Sequence, residues 1–182
     1  MHWLPDMVLL DLETTGGTPL EDRITEIALV RIQDGEVTDR WETLVNPGIA
    51  IPPFITQLTG ISNDMVRDAP LFAEVADSFM AFMDDGIFVA HNVNFDYGFI
   101  AREYERLERR FRFPKVCTCA GMRRRFPGHK SYGLGKLCEI YGIDLKTHHR
   151  ALCDARATVH LLNLINTDRA GSEPAQVAEE AA

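Results

Sequence analysis

Four acidic residues and one histidine stand out because their positions suit metal-ion chemistry. Asp11 and Glu13 follow an apolar run over residues 7–10 that is typical of a buried strand. Side chains alternate along a strand, so both acids lie on one face at its end. Two adjacent carboxylates repel each other and lose hydration on burial, unless a cation lies between them. A pair of solvated carboxylates at a turn would leave the same pattern, so this stretch alone favours neither interpretation.

The other candidates lie near the starts of two predicted helices. Asp96 falls in the first turns of one, where a negative charge is also favourable without any chemistry. His149 and Asp154 are five residues apart, which on one helix would separate them by about 140°. We therefore assign Asp154 to the last helix and His149 to the segment before it, an arrangement that suits a rigid metal ligand and an adjustable base. A plain surface histidine is the alternative for His149.

Strands and helices alternate in a way that would bring these residues together. Strands are predicted over 7–13, 23–32, 37–45, 86–91 and 115–118, and helices over 54–58, 62–66, 70–83, 93–110, 121–126, 134–141 and 151–166. The turn signal Asp34-Gly35 makes the first three strands an antiparallel meander. The fourth strand follows a helix and resembles a parallel partner of the first. The sequence thus predicts one α/β domain over 1–167, with its core at 7–166, whose functional groups collect at strand ends.

Three segments together resemble a known family. Asp11-x-Glu13-Thr14-Thr15-Gly16, His91-Asn92-x-x-Phe95-Asp96 and His149-x-x-x-x-Asp154-Ala155 are similar, in order and spacing, to the motifs of DEDDh 3′–5′ exonucleases. This DnaQ-like group includes polymerase proofreading subunits. The resemblance extends from Val8 to Ile165, and Leu58-Thr59-Gly60-Ile61 resembles the family's substrate-side loop. It implies a ribonuclease H-like fold, with a five-stranded mixed sheet flanked by helices.

The resemblance also implies an activity and a role for each motif residue. It implies a metal-dependent exonuclease that removes nucleoside 5′-monophosphates from the 3′ end of single-stranded or frayed DNA. The four carboxylates offer hard oxygen ligands, which favour two Mg²⁺ or Mn²⁺ ions in a two-metal mechanism. His149, with a pKa near neutrality, would serve as general base. The expected catalytic set is Asp11, Glu13, Asp96, His149 and Asp154, of which the four acids are the expected metal ligands.

The resemblance also suggests which residues would contact the substrate. By resemblance, Leu58, Thr59 and Phe95 are candidates for the surface that holds the 3′ nucleotide, although Leu58 and Phe95 read equally well as core. Candidate donors to the nucleotide hydroxyl are Thr14, His91 and Asn92. Cations that would hold upstream phosphates without reading sequence are Arg123, Arg124, Arg125 and Lys130.

The charge distribution bears on the partner. The net charge is −8, yet residues 102–136 hold eleven Lys/Arg against three Asp/Glu. A basic stretch on an acidic body suits phosphate contact beside a carboxylate metal site, although a solvated helix face would look the same. We expect single-stranded nucleic acid 3′ ends as partner, with DNA favoured over RNA. A 3′–5′ exoribonuclease acting on short or single-stranded RNA and a non-catalytic nucleic-acid-binding module are the alternatives.

The remaining sequence features bear on the partners, the cellular location and the cysteines of the protein. Cys117-Thr118 stands where the family often has Asp-Thr, and the chain after Asn166 has no peptide of the kind that docks on a sliding clamp. Polymerase association and a homodimer both stay open. No apolar run approaches the roughly 20 residues of a membrane span, and the first residues do not resemble a signal peptide, so a cytoplasmic protein without a membrane partner is expected. The four cysteines are expected to be free thiols, with a zinc site completed by His148 or His149 as the alternative. Residues 168–182 are expected to form a disordered tail.

Overall fold

A computed structural model describes residues 6–145 and 149–167 of the chain. Five strands form one sheet: β1 Met7–Thr14, β2 Ile24–Gln33, β3 Glu36–Leu44, β4 Ile87–Ala90 and β5 Lys115–Cys117. Seven helices surround it: α1 Pro53–Thr59, α2 Asn63–Val66, α3 Phe72–Met83, α4 Asn94–Arg106, α5 Thr118–Arg125, α6 Leu134–Tyr141 and α7 Ala151–Asn166. The predicted tail and His148 lie outside the described residues.

The sheet is mixed, as the sequence predicted. Its strand order is β3-β2-β1-β4-β5. β1, β2 and β3 pair antiparallel, whereas β4 pairs parallel with both β1 and β5. β1 is therefore the central strand, and the carboxyl ends of β1 and β4 meet at one edge of the sheet.

Alternation along β1 divides the core into two layers. Val8, Leu10 and Leu12 pack with residues of α3 and α4 on one face of the sheet. Met7 and Leu9 pack against α7 on the other. Asp11 and Glu13 continue the second set, so the strand's own periodicity directs both acids toward the face that α7 covers.

Two helix ends differ from the predicted ones by three residues or more. α4 ends at Arg106 rather than near Arg110, because Glu108 adopts a left-handed conformation with φ 57°. The turn inserts Phe111 into the core, where its ring stacks on Tyr104 at 5.2 Å between centroids. α5 begins at Thr118 rather than Gly121, since the Cys117 sulfur accepts a hydrogen bond from the Ala120 N–H and caps the helix.

All four cysteines are free thiols, as the sequence predicted. Cys119 and Cys138 are buried, whereas Cys117 and Cys153 are only partly buried. Among the described residues, no helix combines the length and the apolar character needed to cross a membrane.

Candidate active site

A pocket of about 310 Å³ opens at the carboxyl ends of β1 and β4. All eleven residues predicted to act in catalysis, metal binding or nucleotide binding line it: Asp11, Glu13, Thr14, Leu58, Thr59, His91, Asn92, Phe95, Asp96, His149 and Asp154. The other four lining residues are Gly16, which belongs to the first motif, and Leu12, Ile55 and Leu134, for which the sequence predicted no role. The motifs thus meet in space even though residues 11 and 154 are distant in the chain.

Three elements supply the acids. β1 carries Asp11 and Glu13, and the register of its pairing with β2 shifts between Glu13 and Thr14, where the strand begins to leave the sheet. Asp96 lies in the first turn of α4 and Asp154 in the first turn of α7. The carboxylates of Glu13 and Asp154 and the imidazole of His149 each offer an atom within 4.8 Å of the others.

Burial raises the pKa values of three of the four acids: Asp11, Glu13 and Asp96. Burial, and then the charges of Asp96, Asp154, Glu13 and Glu26, raises the pKa of Asp11 well above its usual range. Burial and then the Asp154 charge raise the pKa of Glu13 to about 8. Burial likewise raises the pKa of Asp96 to about 8, against hydrogen bonds from the backbone N–H groups of Asp96 itself and Leu12. Carboxylates held in this way are stabilised by cations.

The donor set fits divalent cations with hard-ligand preferences. Four carboxylates carry four negative charges, which two divalent cations would balance. Oxygen ligands are those that Mg²⁺ and Mn²⁺ select, whereas zinc prefers nitrogen and sulfur. His149 stands beside Glu13 and Asp154, so its nitrogen is the one candidate in this group that zinc would favour.

His149 is held by its backbone as well as by its neighbours. It precedes α7 with φ 65°, a left-handed conformation that is costly for a residue other than glycine. Its N–H donates to Asp154 Oδ2 at 3.3 Å. This backbone places His149 outside the helix that carries Asp154, as the five-residue spacing predicted.

His91 is fully engaged within the protein. Its Nε2 lies 2.7 Å from the carbonyl oxygen of Tyr132, which can only accept, so this nitrogen carries a proton. Its Nδ1 lies 3.0 Å from Thr118 Oγ1. Burial lowers the pKa of His91. A donor role toward a nucleotide hydroxyl would require one of these bonds to break, and that role stays a prediction.

The other predicted nucleotide contacts differ in exposure. Leu58 is 51% exposed at the pocket, whereas Thr59 is buried and donates its hydroxyl to the Ile55 carbonyl. Thr14 Oγ1 donates to the Gly16 carbonyl at 2.6 Å. Asn92 is exposed with φ 71°, and Phe95 is half-buried against Phe99. Leu58 and Asn92 are therefore the members of this group most open to solvent.

A carboxylate outside the motifs holds the loop after β1. Asp22 accepts hydrogen bonds from Thr15 Oγ1 at 3.2 Å and from the Thr18 N–H at 2.8 Å. A Cβ on Gly16 would lie 2.4–2.5 Å from this carboxylate, so no larger residue fits while Asp22 is in place. Gly16 belongs to a motif visible in the sequence, whereas nothing in the sequence indicates its partner Asp22, which is six residues away.

The cations of the basic segment differ in their surroundings. Among those paired with carboxylates are Arg102, Arg106, Arg109 and Lys136. Arg123, Arg124, Arg125 and Lys130 are exposed, and they are not among the residues that line the pocket. The Arg123 guanidinium lies over the Tyr132 ring, 5.4 Å from its centroid. The phosphate contacts predicted for these four residues thus stay predictions.

Comparisons with known proteins agree with this geometry. The RNase T exonuclease family model matches residues 8–162. The DNA polymerase III epsilon subunit of Aquifex aeolicus is 38% identical over 155 residues, which cover 85% of this chain and 77% of the relative. A PolC-type DNA polymerase III of Caldanaerobacter subterraneus is 40% identical over 156 residues, 86% of this chain. The chain spans only about a tenth (11%) of that polymerase's length.

Solved structures share the fold. Exonuclease X in complex with 5′-overhanging duplex DNA has a TM-score of 0.74 and 28% identity, with 94% of this chain and 97% of that chain covered. The single-stranded DNA complex of E. coli exonuclease I superposes with a TM-score of 0.82 over 91% of this chain and 41% of that chain; at 20% identity it supports the fold alone. The convergent acids, the sheet topology and these matches together identify the chain as a member of the RNase T exonuclease family, in the DEDDh, DnaQ-like group.

Proposed function

We propose that this chain is a metal-dependent 3′–5′ exonuclease that releases nucleoside 5′-monophosphates from single-stranded or frayed DNA ends. The observation that carries the proposal is the meeting of Asp11, Glu13, Asp96, Asp154 and His149 in one pocket. A fold gains nothing from four clustered acids, in two of which burial raises the pKa to about 8, unless a ligand compensates them.

The proposed roles follow from the chemistry of each side chain. Asp11, Glu13, Asp96 and Asp154 would hold two Mg²⁺ or Mn²⁺ ions. When bound, such ions acidify a water molecule and offset the charge of the scissile phosphate. His149, outside the helix and next to Glu13 and Asp154, would accept the proton of the attacking water at a ring nitrogen.

DNA is the proposed substrate class for two reasons. The relatives at 38–41% identity are named as DNA polymerase III proteins, and exonuclease X was solved with overhanging DNA. The pocket volume lies at the low end of the range for small-ligand sites, which suits one nucleotide rather than a duplex.

Polymerase association is part of the proposal, and co-elution of the chain with a polymerase III catalytic subunit tests it.

Product analysis tests the proposal. The 5′-labelled substrates are a single strand, a blunt duplex and a duplex with an unpaired 3′ end, each made as DNA and as RNA. With Mg²⁺ we expect stepwise shortening from the 3′ end, 5′-mononucleotide products, and faster cleavage of the single strand and the frayed duplex. Internal cuts or 3′-monophosphates would overturn the proposal. Faster cleavage of RNA would assign the chain as an exoribonuclease, and binding without cleavage in Mg²⁺ or Mn²⁺ would leave a binding module.

A further inference from the structure

Glu26 is a buried acid that the proposed chemistry does not use. Glu26 is 4% exposed and lies on β2 directly opposite Glu13 of β1. Opposite residues of neighbouring strands project to the same face, so Glu26 adds a fifth carboxylate beside the four of the pocket. Like charges in such a pair destabilise a sheet, so the position requires a compensating contact.

Arg150 and the start of α7 provide that contact. Arg150 Nε lies 3.1 and 3.2 Å from the two carboxylate oxygens of Glu26, and Nη2 lies 2.7 Å from Oε1. The N–H of Ala151, the first residue of α7, donates to Oε2 at 2.9 Å. Protein donors thus occupy both oxygens of Glu26.

This contact joins the two halves of the pocket. Glu26 is paired with the strand that carries Glu13, and Arg150 immediately follows His149. Asp154 lies in the first turn of α7, and Glu26 accepts a hydrogen bond from the N–H of Ala151 at the start of that turn. His149 itself has a left-handed backbone conformation with φ 65°, and the Arg150 fork to Glu26 lies at the next residue along the chain.

We propose that Glu26 and Arg150 are positioning residues that fix His149 and Asp154 relative to the acids of β1. This inference rests on the proposed exonuclease function. The bidentate fork sets direction as well as distance, so a glutamine at position 26 cannot replace it: its single carbonyl oxygen serves one of the two donors, and its amide group opposes the other.

The chain offers a matched control at Glu103. This glutamate is also buried, at 2% exposure, and it accepts from Arg23 Nε at 2.7 Å, Arg23 Nη2 at 3.0 Å and Arg106 Nη1 at 3.0 Å. It is not among the residues lining the pocket. Glu103→Gln therefore removes a comparable buried ion pair without touching α7, and reports what a purely structural loss does to activity.

The test compares Glu26→Gln, Arg150→Gln, their combination, Arg150→Lys and Glu103→Gln, all assayed well below their unfolding midpoints. We expect kcat on single-stranded DNA with saturating Mg²⁺ to fall about tenfold or more in both single variants, with KM changed by less than about threefold. The kcat of the double variant should lie within about twofold of that of the slower single variant, because both substitutions remove the same contact. Arg150→Lys should recover part of the loss, and Glu103→Gln should keep kcat within about twofold of wild type.

Metal binding provides a second measurement that does not depend on turnover. In calorimetric titrations with Mn²⁺ alone, Glu26→Gln should bind about threefold or more weakly than Glu103→Gln. Equal losses of kcat and Mn²⁺ affinity in these two variants, or multiplicative effects at Glu26 and Arg150, would overturn the inference. If wild type cleaves no nucleic acid, the proposed function fails while the Mn²⁺ comparison still decides the positioning claim. Should Glu26→Gln not fold, Arg150→Gln decides it, since the Arg150 side chain is 42% exposed.

Discussion

Replacing Glu13 with glutamine should make the metal-free protein more stable at pH 8 than wild type. Glu13 is 8% exposed, and burial, followed by the Asp154 charge, raises its pKa from 4.5 to about 8. A folded-state pKa above the unfolded one means that the folded chain binds the proton more tightly. Its contribution to stability is therefore present in full below pH 4.5 and is lost as the pH rises toward 8.

The size of the effect follows from the two pKa values. Each pH unit between them changes the free energy of unfolding by about 1.4 kcal/mol, which integrates to about 3.5 kcal/mol between pH 5 and pH 8. For a domain of this size, each kcal/mol shifts the midpoint by roughly 2–4 °C, so this one group should lower the wild-type midpoint by roughly 7–14 °C. Glu13→Gln lacks the titration and should keep most of that stability.

The assay is thermal unfolding followed by circular dichroism in EDTA at pH 5, 6, 7 and 8. Glu139→Gln is the control, since the Glu139 side chain is 70% exposed and its ion pair with Lys136 lies at the surface, so it reports the removal of one exposed negative charge. Adding Mn²⁺ at pH 8 should raise the wild-type midpoint and raise that of Glu13→Gln less. The reasoning is refuted if Glu13→Gln and Glu139→Gln show the same pH dependence, or if metal-free wild type grows more stable from pH 5 to pH 8.

Three further changes test other parts of the site. Asp11→Ala or Asp154→Ala should abolish nuclease activity without lowering the metal-free unfolding midpoint, because each removes repulsion among acids; a lower midpoint in EDTA would contradict this. His149→Ala should reduce kcat by about 100-fold or more while Mn²⁺ affinity stays nearly unchanged, whereas lost affinity in calorimetry would make His149 a ligand. Gly16→Ala should cost about 1–3 kcal/mol in urea unfolding, because its Cβ would meet the Asp22 carboxylate 2.4–2.5 Å away. Asp22→Ala should make that substitution less costly, and strictly additive losses in the double variant would count against the steric account.

The elements that position the acids were predictable because the signals are local. The period-two pattern of β1 fixed the shared face of Asp11 and Glu13, and the spacing from His149 to Asp154 fixed which of the two belongs to α7. The parallel pairing of β1 with β4 followed from the helix that precedes β4 and put Asp96 at the same edge. Short-range periodicity and connection rules sufficed for each of these.

The contacts that hold the site together were not predictable, because their partners are distant in sequence or cross a loop. In the sequence, Glu26 is a polar residue in a mostly apolar strand, with no sign of its partner. Its hydrogen bond with Arg150 joins residues that are 124 positions apart. The surplus of basic residues over 102–136 suggested phosphate binding, but a sum over the sequence does not reveal that Arg109 pairs with Asp77. The early end of α4 likewise depends on the place that Phe111 takes among distant core rings.

The most direct test of the account is a calorimetric Mn²⁺ titration of wild type and of Asp11→Asn, Glu13→Gln, Asp96→Asn and Asp154→Asn, each in the presence of dTMP. We predict two Mn²⁺ ions per wild-type chain and an affinity loss of about tenfold or more in every variant, because all four carboxylates would share one site. Wild type that binds no Mn²⁺, or an Asp96→Asn variant that binds it as tightly as wild type, would contradict the claim that these acids form one metal centre.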